Sequence, residues 1–278
     1  MDTKIHIWHT GSVYIDKSLA FNEKSWHPVP YTGWFRGKSK KIWVPVSTYL
    51  IEHPKGKVLI DTGWHEDIRV NQKKHLGRFT YSMFRGKLPK GQSIKEKIDA
   101  LGIETKDLDY VVLTHLHSDH VSGLKHVSNA KNILTSELEW QAAQKDLGYI
   151  KTMWKDVPIN TFHLNTIPFG PYKKGYDLFG DETIYLVFTP GHSKGQMSIL
   201  VSTTKGWILL ASDVGYAARS WKEYILPGLM VDKQAAQKSL KWVQEFSRRK
   251  DCYRVIANHD PSIREEILHN INKGGLKV

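Results

Sequence analysis

The chain has 278 residues, 40% hydrophobic and 24% charged, with a formal net charge of +12, which suits one domain spanning 1–278 with a sizeable core. No window approaches the ~20 apolar residues of a membrane span, and the first residues lack the basic and apolar stretches of a signal peptide, so a cytoplasmic location is the expectation. The lone cysteine, Cys252, excludes an internal disulfide framework and a Cys-rich zinc module. The positive charge gathers in stretches such as 36–41, 73–74 and 85–97 that read as solvated loops. Without a nucleic-acid signature beside it, such charge argues for solubility or weak polyanion affinity rather than a nucleic-acid partner.

In chain order, the alternation of apolar residues predicts strands at 4–8, 44–53 and 57–61, with Pro54-Lys55-Gly56 turning between the last two. An aromatic-rich region follows the first strand, with Trp26-His27-Pro28-Val29-Pro30-Tyr31 and Trp34-Phe35. Residues 64–92 mix aromatic, basic and glycine residues and read as a loop-rich surface excursion, in which Phe79, Tyr81 and Phe84 offer further apolar surface. These aromatics either anchor loops on the scaffold or line an apolar groove. Ser93 and Glu96 form a capping-box pattern for a helix ended by Gly102, with Ile94, Ile98 and Leu101 on one face.

A strand at 108–115 comes next, then a short helix near Asp119, a strand at 132–136, and a helix capped by Ser136 and Glu139 that runs to about Leu147. Further strands are expected at 184–189, 196–202 and 207–211, the last two as a hairpin. Asp232 caps a helix presenting Ala236, Leu240 and Val243, a strand covers 255–257, and Ser262 with Glu265 predicts a final helix. Strands, helices, strands, helices in this order suit an α+β chain. The expected architecture is an αββα sandwich of two mixed sheets, packed face to face with helices on both outer faces.

The chemistry concentrates at strand ends. Thr114-His-Leu-His-Ser-Asp-His120 places His115, His117, Asp119 and His120 directly after an apolar run. In extended chain, positions i and i+2 face the same side, so His115 and His117 can share a cation while Asp119 and His120 turn to a second. His192 in Thr-Pro-Gly-His, Asp213 in Leu-Leu-Ala-Ser-Asp and His259 in Val-Ile-Ala-Asn-His sit at equivalent places. Together they complete two metal sites sharing a carboxylate. Imidazole and carboxylate suit Zn²⁺, and also Fe, Mn or Co.

From about Val44 onward the sequence resembles the metallo-β-lactamase fold superfamily, through Leu59-Ile60-Asp61-Thr62-Gly63, 114–120, 189–193, Ser212-Asp213 and His259. The resemblance implies one metal on His115, His117 and His192, and a second on Asp119, His120 and His259. Asp213 would bridge them, and Asp61 would support the ligand loop without binding metal. His117, where redox members of the superfamily carry Glu, disfavours oxidoreductase chemistry; Asp213, where some β-lactamases use Cys, disfavours antibiotic hydrolysis. Tyr216 three residues after Asp213, and Asp260 after His259, make the chain most similar to the N-acyl homoserine lactonases. It departs from them at Ser122, which replaces a glycine, and at Gln196, where several lactonases have His.

The implied reaction is quorum quenching by opening of a lactone ring through attack of a metal-bridging hydroxide. Tyr216 would donate to the developing oxyanion, and Asp119 would carry a proton to the departing alkoxide. The expected partner is a small acyl lactone or ester, with no membrane association. The alternatives are a phosphodiesterase or nuclease on the same fold, which the net charge favours, or another carboxylic or thioester hydrolase.

Overall fold

The computed structural model describes residues 3–22 and 25–269. Among these, an eight-stranded and a six-stranded sheet form the centre. The first sheet runs, edge to edge, Glu266–Leu268, Lys4–Asp16, Lys41–His53, Gly56–Ile60, Tyr110–Val112, Ile133–Ser136, Asn160–Phe162, with Arg85–Lys87 also paired to Lys4–Asp16. The second runs Cys252–Ile256, Gly206–Leu210, Met197–Thr203, Ile184–Phe188, Lys174–Asp177, Asn165–Thr166. Both mix parallel and antiparallel pairs.

Alternation along the strands builds the layers. Ile5, Ile7, Tyr49, Ile51, Val58 and Ile60 face inward against Ile199, Val201, Ile208 and Leu210 of the other sheet. Their neighbours Leu50, Leu59 and Val111 face outward onto Ile94 and Ile98 of the helix Ile94–Ala100. On the far side Tyr185, Leu200 and Leu209 meet Ala236, Leu240, Val243 and Phe246 of the helix Lys233–Phe246. Strands covered on both faces need apolar residues at every position, which is why 58–60 and 110–113 read as continuous hydrophobic runs. The two sheets with helices outside them are the sandwich expected from the element order.

Helix starts follow their caps. The Ser93 hydroxyl accepts from the Glu96 amide while the Glu96 carboxylate accepts from the Ser93 amide, and the Asp232 carboxylate accepts from the Ala235 amide. Three expectations need correction. The first strand extends from Lys4 to Asp16 rather than ending at Trp8, because the ladder shifts register between His9 and Ser12 at Gly11. Gly11 has φ +98°, and a Cβ there would stand 2.5 Å from the Lys87 carbonyl oxygen.

The loop-rich excursion at 64–92 instead contains the helix Asp67–Met83, broken by non-helical backbone at Asn71 and Gly77. Only Ile68 and Leu76 of it are buried, so no apolar stripe marks it in the sequence. Among the described residues no helix follows Ser262. Glu265 accepts from the His9 amide and from Lys97 rather than capping back toward Ser262, and Glu266–Leu268 pairs antiparallel with the first strand.

Candidate metal centre

Five strands deliver the expected ligands and Asp61 to one edge of the sandwich. Gly56–Ile60 leads into Asp61, Tyr110–Val112 into 113–120, Ile184–Phe188 into His192, Gly206–Leu210 into Asp213, and Cys252–Ile256 into His259. The turn carrying His192 depends on Gly191, with φ +135° and its α-carbon so close to the Lys233–Phe246 helix that a Cβ would lie 2.2 Å from the Ala236 nitrogen. Asp61 and Ser212, at two of these strand ends, have positive φ of 56° and 50° without being glycine, backbone strain of the kind that persists where surrounding structure imposes it.

All seven predicted ligands come together. Side-chain atoms of His115, His117 and His192 lie within 4.8 Å of one another, as do those of Asp119, His120 and His259, and of His115, His120 and Asp213. Asp213 faces both groups: its Oδ2 is 3.4 Å from His192 Nε2, and its Oδ1 is 3.3 Å from His120 Nε2 and 3.4 Å from His259 Nε2. Asp119 Oδ2 lies 3.5 Å from His259 Nε2, and His117 Nδ1 is 2.8 Å from His192 Nε2.

These atoms fit divalent cations. His115 Nε2, His120 Nε2, His259 Nε2 and Asp213 Oδ1 are buried without a hydrogen-bond partner, a costly arrangement for polar atoms unless something else binds them. Separations of 3.3–3.4 Å around Asp213 are long for hydrogen bonds. They match the edge, about 3.3–3.4 Å, of a tetrahedron whose ligands stand 2.0–2.1 Å from a zinc ion.

The opposite ring nitrogens are already engaged. His120 Nδ1 pairs with Asp61 Oδ2 at 2.8 Å, His192 Nδ1 with the Leu229 carbonyl at 2.9 Å, and His259 Nδ1 with the Pro45 carbonyl at 2.8 Å. Each acceptor holds the proton on Nδ1 and leaves the Nε2 lone pair directed inward. Asp61 is itself fixed by the Thr114 amide and hydroxyl, both at 2.8 Å.

Burial draws His115, His117 and His192 below the ordinary imidazole range, with neighbouring imidazoles adding to the shift at the first two, so these rings are neutral donors. For His120 and His259 burial acts the same way, but the surrounding carboxylates, Asp213 foremost, outweigh it and raise them. Burial opposes ionisation of Asp213, yet His259 and His120 hold its carboxyl well below the usual carboxylate range. Tyr216 stacks on His259, with ring centroids 4.8 Å apart and planes 21° from parallel. Burial, then the charges of Asp213 and Asp119, push its phenol well above the ordinary value, so it is a hydrogen-bond donor at neutral pH. Asp260 accepts from the Ala218 amide at 2.8 Å, tying the Tyr216 loop to the His259 loop.

One residue central to the site has no chemical signal in the sequence. Glu139 is fully buried, and its carboxylate accepts from the Leu116 amide (3.0 Å), the Tyr149 hydroxyl (2.8 Å), the Ser193 hydroxyl (2.7 Å) and the Gly195 amide (3.0 Å). It joins the loop carrying His115 and His117 to the loop after His192. Its place three residues after Ser136 reads as a capping pair; Ser136 does cap the Glu139 amide, but the carboxylate turns into the molecule.

The centre opens into a cleft of about 390 Å³, with His117, Asp119, His192, Asp213 and Tyr216 at one end and Val13, Ile15, Leu19, Trp64 and Phe84 along its walls. Among the described residues that line it there is no lysine or arginine. Of the aromatics noted in sequence, Tyr31, Trp34, Phe79 and Phe84 line the cleft, Trp34 packing edge-on to Phe79 at 6.0 Å. Trp26 and Phe35 are fully exposed outside it.

The family model of the Metallo-beta-lactamase superfamily matches residues 42–251. The N-acyl homoserine lactonase AttM of Rhizobium radiobacter is 31% identical over 234 residues, covering 81% of this chain and 86% of that protein. An N-acyl homoserine lactonase of Bacillus cereus is 29% identical over 203 residues, covering 73% and 76%. A solved N-acyl homoserine lactone hydrolase, with the product N-hexanoyl-L-homoserine bound at its catalytic metal center, has a TM-score of 0.79 at 24% identity, covering 96% of this chain and 100% of that one.

Proposed function

The chain belongs to the metallo-beta-lactamase superfamily, and from that membership we propose that it is a dinuclear metal hydrolase opening the lactone ring of N-acyl homoserine lactones. The observation that carries this reading is the union of two unlike environments in one cleft. A polar end is made of seven converging ligands, and an apolar channel of aromatic and aliphatic side chains leads away from it. A polar lactone head on an alkyl chain has the same division.

His115, His117 and His192 would hold one divalent cation, Asp119, His120 and His259 the other, with Asp213 between them; the donor set suits Zn²⁺. When bound, such a pair supplies Lewis acidity toward a carbonyl and brings the pKa of water toward neutrality. The protein's own groups do the rest. Tyr216, kept protonated at the cleft wall, donates to the carbonyl oxygen as negative charge develops there. Asp119, whose side chain is partly open to the cleft, accepts a proton from the attacking water and returns it to the ring oxygen as the ester bond breaks. Asp61 and Glu139 keep the ligand loops in register. Trp34, Phe79 and Phe84 cover the acyl chain and exclude water from it.

The lack of cationic side chains along the cleft favours this uncharged substrate class over a phosphodiester, whose recognition draws on Arg and Lys. The test compares hydrolysis of N-hexanoyl homoserine lactone, followed by acid release, with hydrolysis of bis-p-nitrophenyl phosphate at equal enzyme and metal. Lactone opening with little phosphodiester cleavage is the expected result; the reverse preference overturns the assignment.

A further inference from the structure

A second group of metal-binding side chains lies outside the cleft, on the loop after Gly63 and the broken helix that follows. We propose that His65, Asp67 and His75 form a third divalent-cation site, suited to zinc, that staples the two ends of the first half of this helix together.

The three side chains each place a ligand atom within 4.8 Å of the others. Asp67 Oδ2 lies 3.4 Å from His65 Nδ1 and 3.5 Å from His75 Nδ1. These distances are long for hydrogen bonds and close to the tetrahedral edge that also recurs around Asp213. The Asp67 amide donates to His65 Nδ1 at 3.1 Å, which identifies that nitrogen as a lone-pair acceptor; a cation takes the lone pair over from the amide. His75 Nε2 is 2.7 Å from the Ser122 hydroxyl, which also accepts from the His65 amide at 2.9 Å. In the tautomer whose Nε2–H donates to Ser122, His75 Nδ1 is the second lone pair. Two lone pairs and a carboxylate oxygen thus face one another, an arrangement that a cation resolves.

The surroundings supply the usual outer support. The His126 ring lies flat on His65, centroids 4.3 Å apart and planes 1° from parallel, fixing the ring. Burial, with the adjacent His65, lowers His75 below the ordinary imidazole range, keeping it neutral. The cluster opens on its own cavity of about 560 Å³, lined also by Ser122 and Thr152, where water can complete the coordination. Lys74 and Lys125 line the same cavity and oppose positive charge, so affinity here falls below that of the buried pair.

The location gives the site a consequence. The helix Asp67–Met83 leaves helical geometry at Asn71 (φ −152°) and Gly77 (φ 73°), and His75 sits in the segment between. Beyond Gly77 the same helix supplies Phe79, Thr80 and Met83 to the catalytic cleft. An ion joining His75 to Asp67 across the first break therefore steadies the support of that wall.

The test is zinc content at equilibrium. Metal-stripped wild type, H65Q, H75Q and H163Q are dialysed against the same micromolar zinc and counted by mass spectrometry. H65Q and H75Q are expected to hold one zinc fewer than wild type, while H163Q, at an exposed histidine outside the cluster, holds the wild-type number. Zinc should also raise the melting temperature of wild type more than that of either depleted variant. D67N, on the exposed first turn, is expected to show the same loss and serves should a histidine variant not fold. Equal zinc in wild type, H65Q, H75Q and D67N overturns the proposal. Because the criterion is a difference in metal count between proteins, it stands apart from the lactonase reading, whose failure would appear only in the hydrolysis assay.

Discussion

Tyr216 and His259 stack at 4.8 Å, and of the two it is the tyrosine that lines the cleft. The phenol therefore approaches a substrate without displacing a metal ligand. Tyr216→Phe removes the donor and leaves the stacked ring. Loss of one oxyanion donor costs about 10²-fold or more in kcat. The expected outcome is a fall of that order in lactone turnover with unchanged metal content. Unchanged kcat and KM would make Tyr216 a packing residue.

Among the described residues Asp213 is the one carboxylate that faces His120, His192 and His259 together. Asp213→Asn keeps the volume and removes the charge that both ions would share. Metal retention and turnover should fall together, read by metal analysis and kcat/KM on one preparation. Full occupancy with full activity would place Asp213 outside the bridge.

Glu139 supports the site at a distance. Its carboxylate receives four donors, and Glu139→Gln turns an amide N–H toward one or more of them. A buried polar group left unsatisfied costs about 1–3 kcal/mol. The variant should melt at a lower temperature and bind zinc roughly 10-fold more weakly, as for lost outer partners of metal ligands. Recovery of full zinc occupancy at excess metal, with the melting temperature still depressed, separates this role from direct ligation.

Acid sensitivity should trace in part to Asp16. Burial raises its pKa, but hydrogen bonds from Arg36 and Ser18 outweigh it and hold the carboxyl below the usual carboxylate range. A depressed carboxylate stabilises the fold fully above its unfolded pKa, and that contribution disappears as pH falls through the folded value. The melting temperature of wild type should therefore drop more between pH 7 and pH 3 than that of Asp16→Asn. Parallel pH profiles for the two proteins would remove Asp16 from the account.

What the sequence discloses follows from where the physical signal is local. The candidate ligands are legible because His115, His117, Asp119 and His120 crowd the end of one buried strand, and His192, Asp213 and His259 each follow another. Glu139 is hidden because a helix N-terminus satisfies the same Ser-x-x-Glu spacing, and nothing nearby in sequence reveals that its carboxylate turns inward. The helix Asp67–Met83 escapes detection because Asn71 and Gly77 interrupt it and it buries little. Glu266–Leu268 is a strand only because Lys4–Asp16 lies beside it, a pairing across nearly the whole chain that no local pattern encodes.

The central claim is tested most directly by following N-hexanoyl homoserine lactone hydrolysis through removal and return of metal in one preparation. The account predicts that acid release stops when a chelator strips the protein and returns on addition of zinc. In His192→Gln, which lacks a ligand contributed from a distant strand, zinc should not restore it. Undiminished hydrolysis by the stripped protein, or none by the fully loaded one, would contradict it.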